Sequence, residues 1–139
     1  MRQAQAPLVV TTDGPGLVEI TAEIGDWVRR QAFSTGLLTV YCRHTSASLL
    51  IQENADPTVL EDLAAAFARL APESGKLYRH NTEGPDDMPS HIRAALTGAS
   101  LSIPIAAGAL TLGRWQGILM FEHRRGAHRR EIVLHAIGD

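Results

Sequence analysis

The sequence predicts one α+β domain built from antiparallel strands and three helices, and three observations carry that prediction. Short runs near both ends of the chain are rich in strand formers and alternate with period two. In the middle, Leu60, Leu63, Ala64, Phe67, Leu70 and Ala71 recur at three-and-four spacing, which marks one face of a helix. The connections between the C-terminal strands are too short for the crossover helices that parallel pairing demands, so those strands run antiparallel.

Taken in order, segments 5–12 and 16–20 flank Asp13-Gly14-Pro15-Gly16, a dense set of turn formers, and read as a first β-hairpin. Thr21 then caps a helix over about 22–34, which carries Ile24, Trp27 and Val28 on one face and ends near Gly36. Segment 37–43 is a strand with Leu38, Val40, Cys42 and His44 on one side. A second strand over about 47–53 leads to Asp56-Pro57, an acidic cap followed by a proline suited to the first helical turn. The periodic helix follows. Residues 72–88 show no periodicity, and a connection of that length tends to carry a site. Asp87 caps a short helix over about 89–97, and strands follow at 99–105, 109–112, 115–122 and 129–137.

The 139 residues are 45% hydrophobic and 20% charged, the composition of one globular core. A formal charge of -2 offers no global positive field for nucleic acid or an acidic membrane. No window approaches the ~18 apolar residues of a membrane span, and the N-terminus lacks a signal-peptide run, so a cytoplasmic protein with no membrane partner is expected. Cys42 is the lone cysteine, which excludes an intrachain disulfide and reads as a small buried hydrophobe.

Chemistry rests on histidines, carboxylates and one arginine run. His44, His80, His91, His123, His128 and His135 match no HExxH or paired CxxC pattern. His44 follows a strand, His80 lies in the long loop and His91 falls in the first turn of a helix, whose positive end favours a neutral ring able to ligate a metal or polarise a carbonyl. Asp86 and Asp87 oppose that effect in part, and a plain hydrogen-bonding role is the alternative for each ring. On the 115–122 strand, Gln116 and Glu122 share a face with Ile118 and Met120, as a pocket wall or as a solvent-facing side. The run from Arg124 to Arg130 is either a solvated hairpin turn or an anion clamp gripping phosphate with guanidinium groups. No aromatic residues interleave with it, which disfavours nucleic acid.

Longer strings carry a resemblance. His44-Thr45-Ser46-Ala47-Ser48, Gln52-Glu53-Asn54-Ala55-Asp56-Pro57, the run from His80 to Ile92, Ser102-Ile103-Pro104-Ile105, Leu112-Gly113-Arg114-Trp115-Gln116-Gly117-Ile118 and Glu122-His123-Arg124 resemble the YjbQ-like family, whose members are called secondary thiamine-phosphate synthases. Arg114 departs from the threonine common in that family.

The resemblance implies a single domain, residues 1–139, with an antiparallel sandwich-like core, assembling as a homotrimer. It implies His44, His80 and His91 as ligands of a divalent metal, zinc in an open arrangement, near a subunit boundary. Glu122 or Glu83 would orient a ligand or move a proton. The implied activity joins a thiazole phosphate to an aminopyrimidine diphosphate with release of pyrophosphate. Arg124 and Arg129, with Gln116 on the pocket wall, would receive the phosphorylated metabolite, and Mg²⁺ could accompany a diphosphate. The competing reading is a homotrimer that binds metal or phosphometabolite without efficient catalysis.

Overall fold

The computed structural model describes Met1–Asp139, and its elements run β1 (Arg2–Asp13), β2 (Gly16–Glu19), α1 (Thr21–Gln31), β3 (Thr35–Cys42), β4 (Ala47–Glu53), α2 (Pro57–Leu70), α3 (Asp87–Thr97), β5 (Ser100–Ala106), β6 (Ala109–Leu110), β7 (Gln116–Glu122) and β8 (Ala127–Gly138). The strands form two antiparallel sheets, ordered β1-β8-β3-β5-β6 and β2-β7-β4. The expected single α+β domain with three helices and a sandwich-like antiparallel core is therefore present.

The first hairpin is not. All of β1 pairs with β8 in the larger sheet, while β2 pairs with β7 in the smaller one. The turn formers between them make a corner that carries the chain from one sheet to the other, with Gly14 at a φ of 108°. The arginine run is the matching corner between β7 and β8, and the Gly14 amide donates to the Gly126 carbonyl across the pair.

The core lies between the sheets. Leu38, Val40 and Cys42 of β3, Ile103 and Ile105 of β5, and Ile132, Leu134 and Ala136 of β8 meet Ala47, Leu49, Ile118 and Met120 of the smaller sheet. Ile24 and Val28 of α1 join the same cluster. The opposite face of β7 is buried too: Phe121 receives the edge of Phe67 from α2, with centroids 5.5 Å apart. Helices α2 and α3 lie against the small sheet, α1 packs into the core beside it, and the outer face of the large sheet remains open, exposing Val9, Leu37, Tyr41 and Ile137.

Several caps differ from expectation. Ile20, not Thr21, is the N-cap of α1, and the Thr21 hydroxyl instead accepts the Ile118 amide of β7. That helix ends on left-handed Ala32, well before Gly36, which lies within β3 and pairs with Gly138. A Cβ on Gly36 would meet the Ile137 carbonyl at 2.4 Å, so the close approach of these strands requires glycine. Asp56 does cap α2, accepting the Thr58 amide at 2.9 Å. α3 begins two residues earlier than expected, with Asp86 at its N-cap but no side-chain cap bond. His91 therefore sits in the second turn, where the helix dipole is weaker than the first-turn reading assumes.

At one end of the sandwich a buried polar network joins the sheets. Glu122, fully buried, accepts from Arg130 Nε at 2.7 Å and from Arg130 Nη2, from the Thr12 hydroxyl at 2.6 Å, and from the amides of His123 and Arg124. Burial favours the neutral acid, but these donors outweigh it and hold the Glu122 carboxyl below its ordinary value. Removing either partner of such a pair would strand a buried charge, at a cost of roughly 3–5 kcal/mol.

Beside it, His123 is 1% exposed and pairs with Ser48 Oγ at 2.8 Å, leaving Nδ1 without a partner. Burial first, and then the Arg93 charge, lower its pKa from 6.5 to about 4. An unfolded chain binds that proton at higher pH than the folded one, so stability falls as pH drops from 6.5 toward 4. In urea titrations near pH 5, wild-type protein should lose about 1.4 kcal/mol more per pH unit than His123→Gln. Equal slopes would mean that His123 is not buried neutral.

Candidate functional site

The long loop between α2 and α3 closes over the end of β7, and the closure depends on two adjacent carboxylates. Arg124 Nε donates to Asp86 Oδ2 at 3.0 Å, Nη1 to Asp87 Oδ1 at 2.7 Å and Nη2 to the Glu83 carbonyl at 2.9 Å. The Arg125 amide adds a bond to Asp86 at 2.9 Å, and its guanidinium pairs with Glu73. Gly84 permits the turn, having a φ of 102° and a Cβ position 3.0 Å from Asp86 Oδ1.

Asp86 and Asp87 are both buried. Burial pushes each carboxyl up, but for Asp86 the Arg125 amide and Arg124 reverse the balance, and for Asp87 His80, His91 and Arg124 do so. Both are held below the ordinary carboxylate value. Arg124, in turn, is held above its ordinary value chiefly by Asp86. The expected grip of Arg124 on phosphate is therefore already taken by the protein.

With Oδ1 facing Arg124, Asp87 turns Oδ2 toward two imidazoles. His80 Nε2 lies 2.6 Å and His91 Nε2 3.2 Å from it, and the ring centroids are 5.4 Å apart. Glu83 Oε2 is 3.2 Å from His80 Nε2 at the exposed rim. His91 Nδ1 faces the Thr45 carbonyl at 2.9 Å and must donate to it, which leaves Nε2 with a lone pair pointing at an ionised carboxylate. Two lone pairs 3.2 Å apart require a proton or a cation between them. A backbone carbonyl accepting from the rear N–H is one way metal-binding histidines are oriented.

Ligand atoms of His80, Asp87 and His91 all lie within 4.8 Å of one another. Zinc bonds of 2.0–2.1 Å give a tetrahedral edge of roughly 3.3 Å, close to the His91–Asp87 separation. The His91–Asp87 spacing suits a divalent ion, whereas His80, 2.6 Å from the same oxygen, stands at direct hydrogen-bond distance and would have to draw back to share one.

His44 does not join this set. Its Nε2 accepts the Glu131 amide at 2.7 Å, so the lone pair a metal would need is occupied. It does share with His91, Thr45, Ala94 and Ala95 the lining of an open cavity of about 510 Å³. Burial, followed by the Arg130 charge, lowers the His44 pKa and keeps the ring neutral.

Other expected site residues are elsewhere. Glu122 faces the sandwich interior with its oxygens engaged, which leaves it no free role in moving a proton. Gln116 opens the same strand at its far end, roughly 20 Å away, where it accepts the Gly113 amide. Arg129 points outward and pairs with Glu131, which also holds Arg43. Asp87 is the residue that sequence reasoning did not group with His80 and His91. Its spacing of four from His91 was the available signal, obscured by its reading as a helix cap.

Residues 6–139 match the family described as UPF0047 protein YjbQ-like. UPF0047 protein sll1880 of Synechocystis is 54% identical over 138 residues, spanning 99% of this chain and 94% of that protein. UPF0047 protein YjbQ of Escherichia coli O157:H7 is 42% identical over 121 residues, spanning 87% and 85%. A solved structure of an uncharacterized YjbQ/UPF0047 protein from Clostridium acetobutylicum superposes with a TM-score of 0.87 at 34% identity, over 95% of this chain and 99% of that one. Hypothetical protein APE1520 of Aeropyrum pernix gives 0.89 at 27% identity, over 98% and 99%.

The geometry makes Arg124 the fastener of the site. In Arg124→Ala, amide exchange across residues 80–91 should quicken at least tenfold while β3 and β8 keep their protection, because the opening is local. Unchanged exchange in the loop would show that other contacts hold it.

Proposed function

Matched almost from end to end, the chain belongs to the YjbQ-like UPF0047 family, and on that footing we propose that it is a small metal-dependent transferase acting on a phosphorylated heterocycle. The single observation that carries the reading is the opposition of His91 Nε2 and Asp87 Oδ2 across 3.2 Å, with His80 on the same oxygen. Zinc is the ion best suited to two imidazoles and a carboxylate, and Mg²⁺ would serve beside a diphosphate.

The reaction proposed is thiamine-phosphate synthase-like: the ring nitrogen of a thiazole phosphate displaces pyrophosphate from the methylene of an aminopyrimidine diphosphate. A bound divalent ion would supply charge neutralisation at the departing pyrophosphate. The chain's own part is to hold and align. Ala94 and Ala95 on α3 leave room for a flat ring against the helix, next to His91 and Thr45. Glu83, at the exposed rim 3.2 Å from His80, steadies that ring.

The proposal extends to assembly as a homotrimer, which the uncovered apolar residues on the large sheet support. No helix is long and apolar enough to cross a membrane.

The test is turnover. Metal-loaded protein given both substrates should release pyrophosphate and form thiamine phosphate, and His91→Ala should lower that rate at least 100-fold with the fold retained. A wild-type protein that takes up metal and substrates but forms no product would instead favour the metal- and phosphometabolite-binding reading.

A further inference from the structure

Arg130 is 4% exposed and most of its donors are satisfied. Nε and Nη2 bond to Glu122, and Nη2 also reaches the Ser46 carbonyl at 3.2 Å. The one hydrogen-bond contact of Nη1 is His44 Nδ1 at 3.5 Å. What His44 offers there is decided on the other side of its ring. Because Nε2 accepts the Glu131 amide at 2.7 Å, a neutral ring must carry its proton on Nδ1. Guanidinium nitrogens only donate. Two donors thus converge with no acceptor between them, Arg130 buried directly behind His44, which itself lines the open cavity with Thr45 and His91.

We infer that His44 and Arg130 form an oxyanion subsite that receives a phosphoryl oxygen of the substrate. The inference rests on the proposed function for the identity of the anion, while the missing acceptor stands on geometry alone. Glu122 already balances the Arg130 charge, so the subsite contributes two aimed N–H groups rather than a net field. The balancing positive charge would come from the ion held next door by His91, which Thr45 ties to the same chain segment as His44. This assigns to His44 and Arg130 the phosphate contact that the sequence placed on Arg124 and Arg129. It also explains the presence of His44 beside the metal candidates without making it a ligand. Arg130 stands behind the cavity-lining His44 because β3 and β8 are register neighbours, which sets the residues following Cys42 against Glu131 and Arg130.

The experiment uses the full chain with its metal complement as purified, titrated with inorganic phosphate by calorimetry and by side-chain ¹⁵N resonances of histidine. Wild-type His44 should show the Nδ1-protonated tautomer, and Nδ1 should shift as phosphate binds. His44→Leu should weaken phosphate roughly tenfold or more while metal content stays as in wild type. His44→Asn, whose amide N–H lies near the position of Nδ1, should recover affinity to within about threefold. Wild-type phosphate affinity in His44→Leu, or an Nε2-protonated His44, would overturn the subsite. Loss of metal in His44→Leu would also overturn it and return His44 to the ligand set. A metal-free wild-type protein would speak against the metal centre only, since the tautomer and the phosphate comparison can still be read on it.

Discussion

One guanidinium holds the candidate site together. Arg124 follows the end of β7 and meets three acceptors of the loop before α3, bonding Asp86, Asp87 and the Glu83 carbonyl. Two neighbouring carboxylates buried side by side would repel and would each resist ionisation. The guanidinium and the Arg125 amide remove that difficulty, and in doing so they fix which oxygen of Asp87 is left over. That oxygen is the one His80 and His91 share. The loop position and the Asp87 oxygen offered to the imidazoles are thus consequences of one arginine on a strand, while His80 and His91 themselves help hold Asp87 ionised and the Thr45 carbonyl orients His91.

A second arginine does the equivalent work within the sandwich. Arg130 and Glu122 face each other between the sheets, with Thr12 and two amides completing the carboxylate's bonds. Both arginines belong to the run that reads in sequence as a solvated turn. The structure separates its members: Arg124 holds the loop, Arg130 is buried beneath His44, and Arg129 stays on the outer face with Glu131. Period two explains the last split, because adjacent residues of β8 point to opposite faces.

How much was legible in the sequence follows from the range of the forces involved. Helix α2 and the capping of its first turn by Asp56 are local matters, and periodicity with cap chemistry located them. The strands were found as well, but their partners were not: Asp13-Gly14-Pro15-Gly16 signals a reversal without saying that the chain changes sheets. His80 and His91 came together as the family resemblance implied. His44 was separated from them by a backbone amide, that of Glu131, which no side-chain pattern reveals. Asp87 was hidden for the opposite reason, since its apparent local use as a cap masked its long-range pairing with Arg124. Glu122 reads in sequence as part of a pocket wall or a solvent-facing side, with a role in orienting a ligand or moving a proton, but its buried bonds give it a structural place instead.

The central claim is that His80, Asp87 and His91 hold a divalent ion. Elemental analysis of untagged protein purified without chelator, alongside His91→Ala, tests it most directly. About one zinc or other transition ion per chain in wild type, reduced at least tenfold in the variant, is the predicted result. A folded wild-type protein that carries no metal and takes up none when it is added would contradict the account. The proton alternative would then stand between His91 and Asp87.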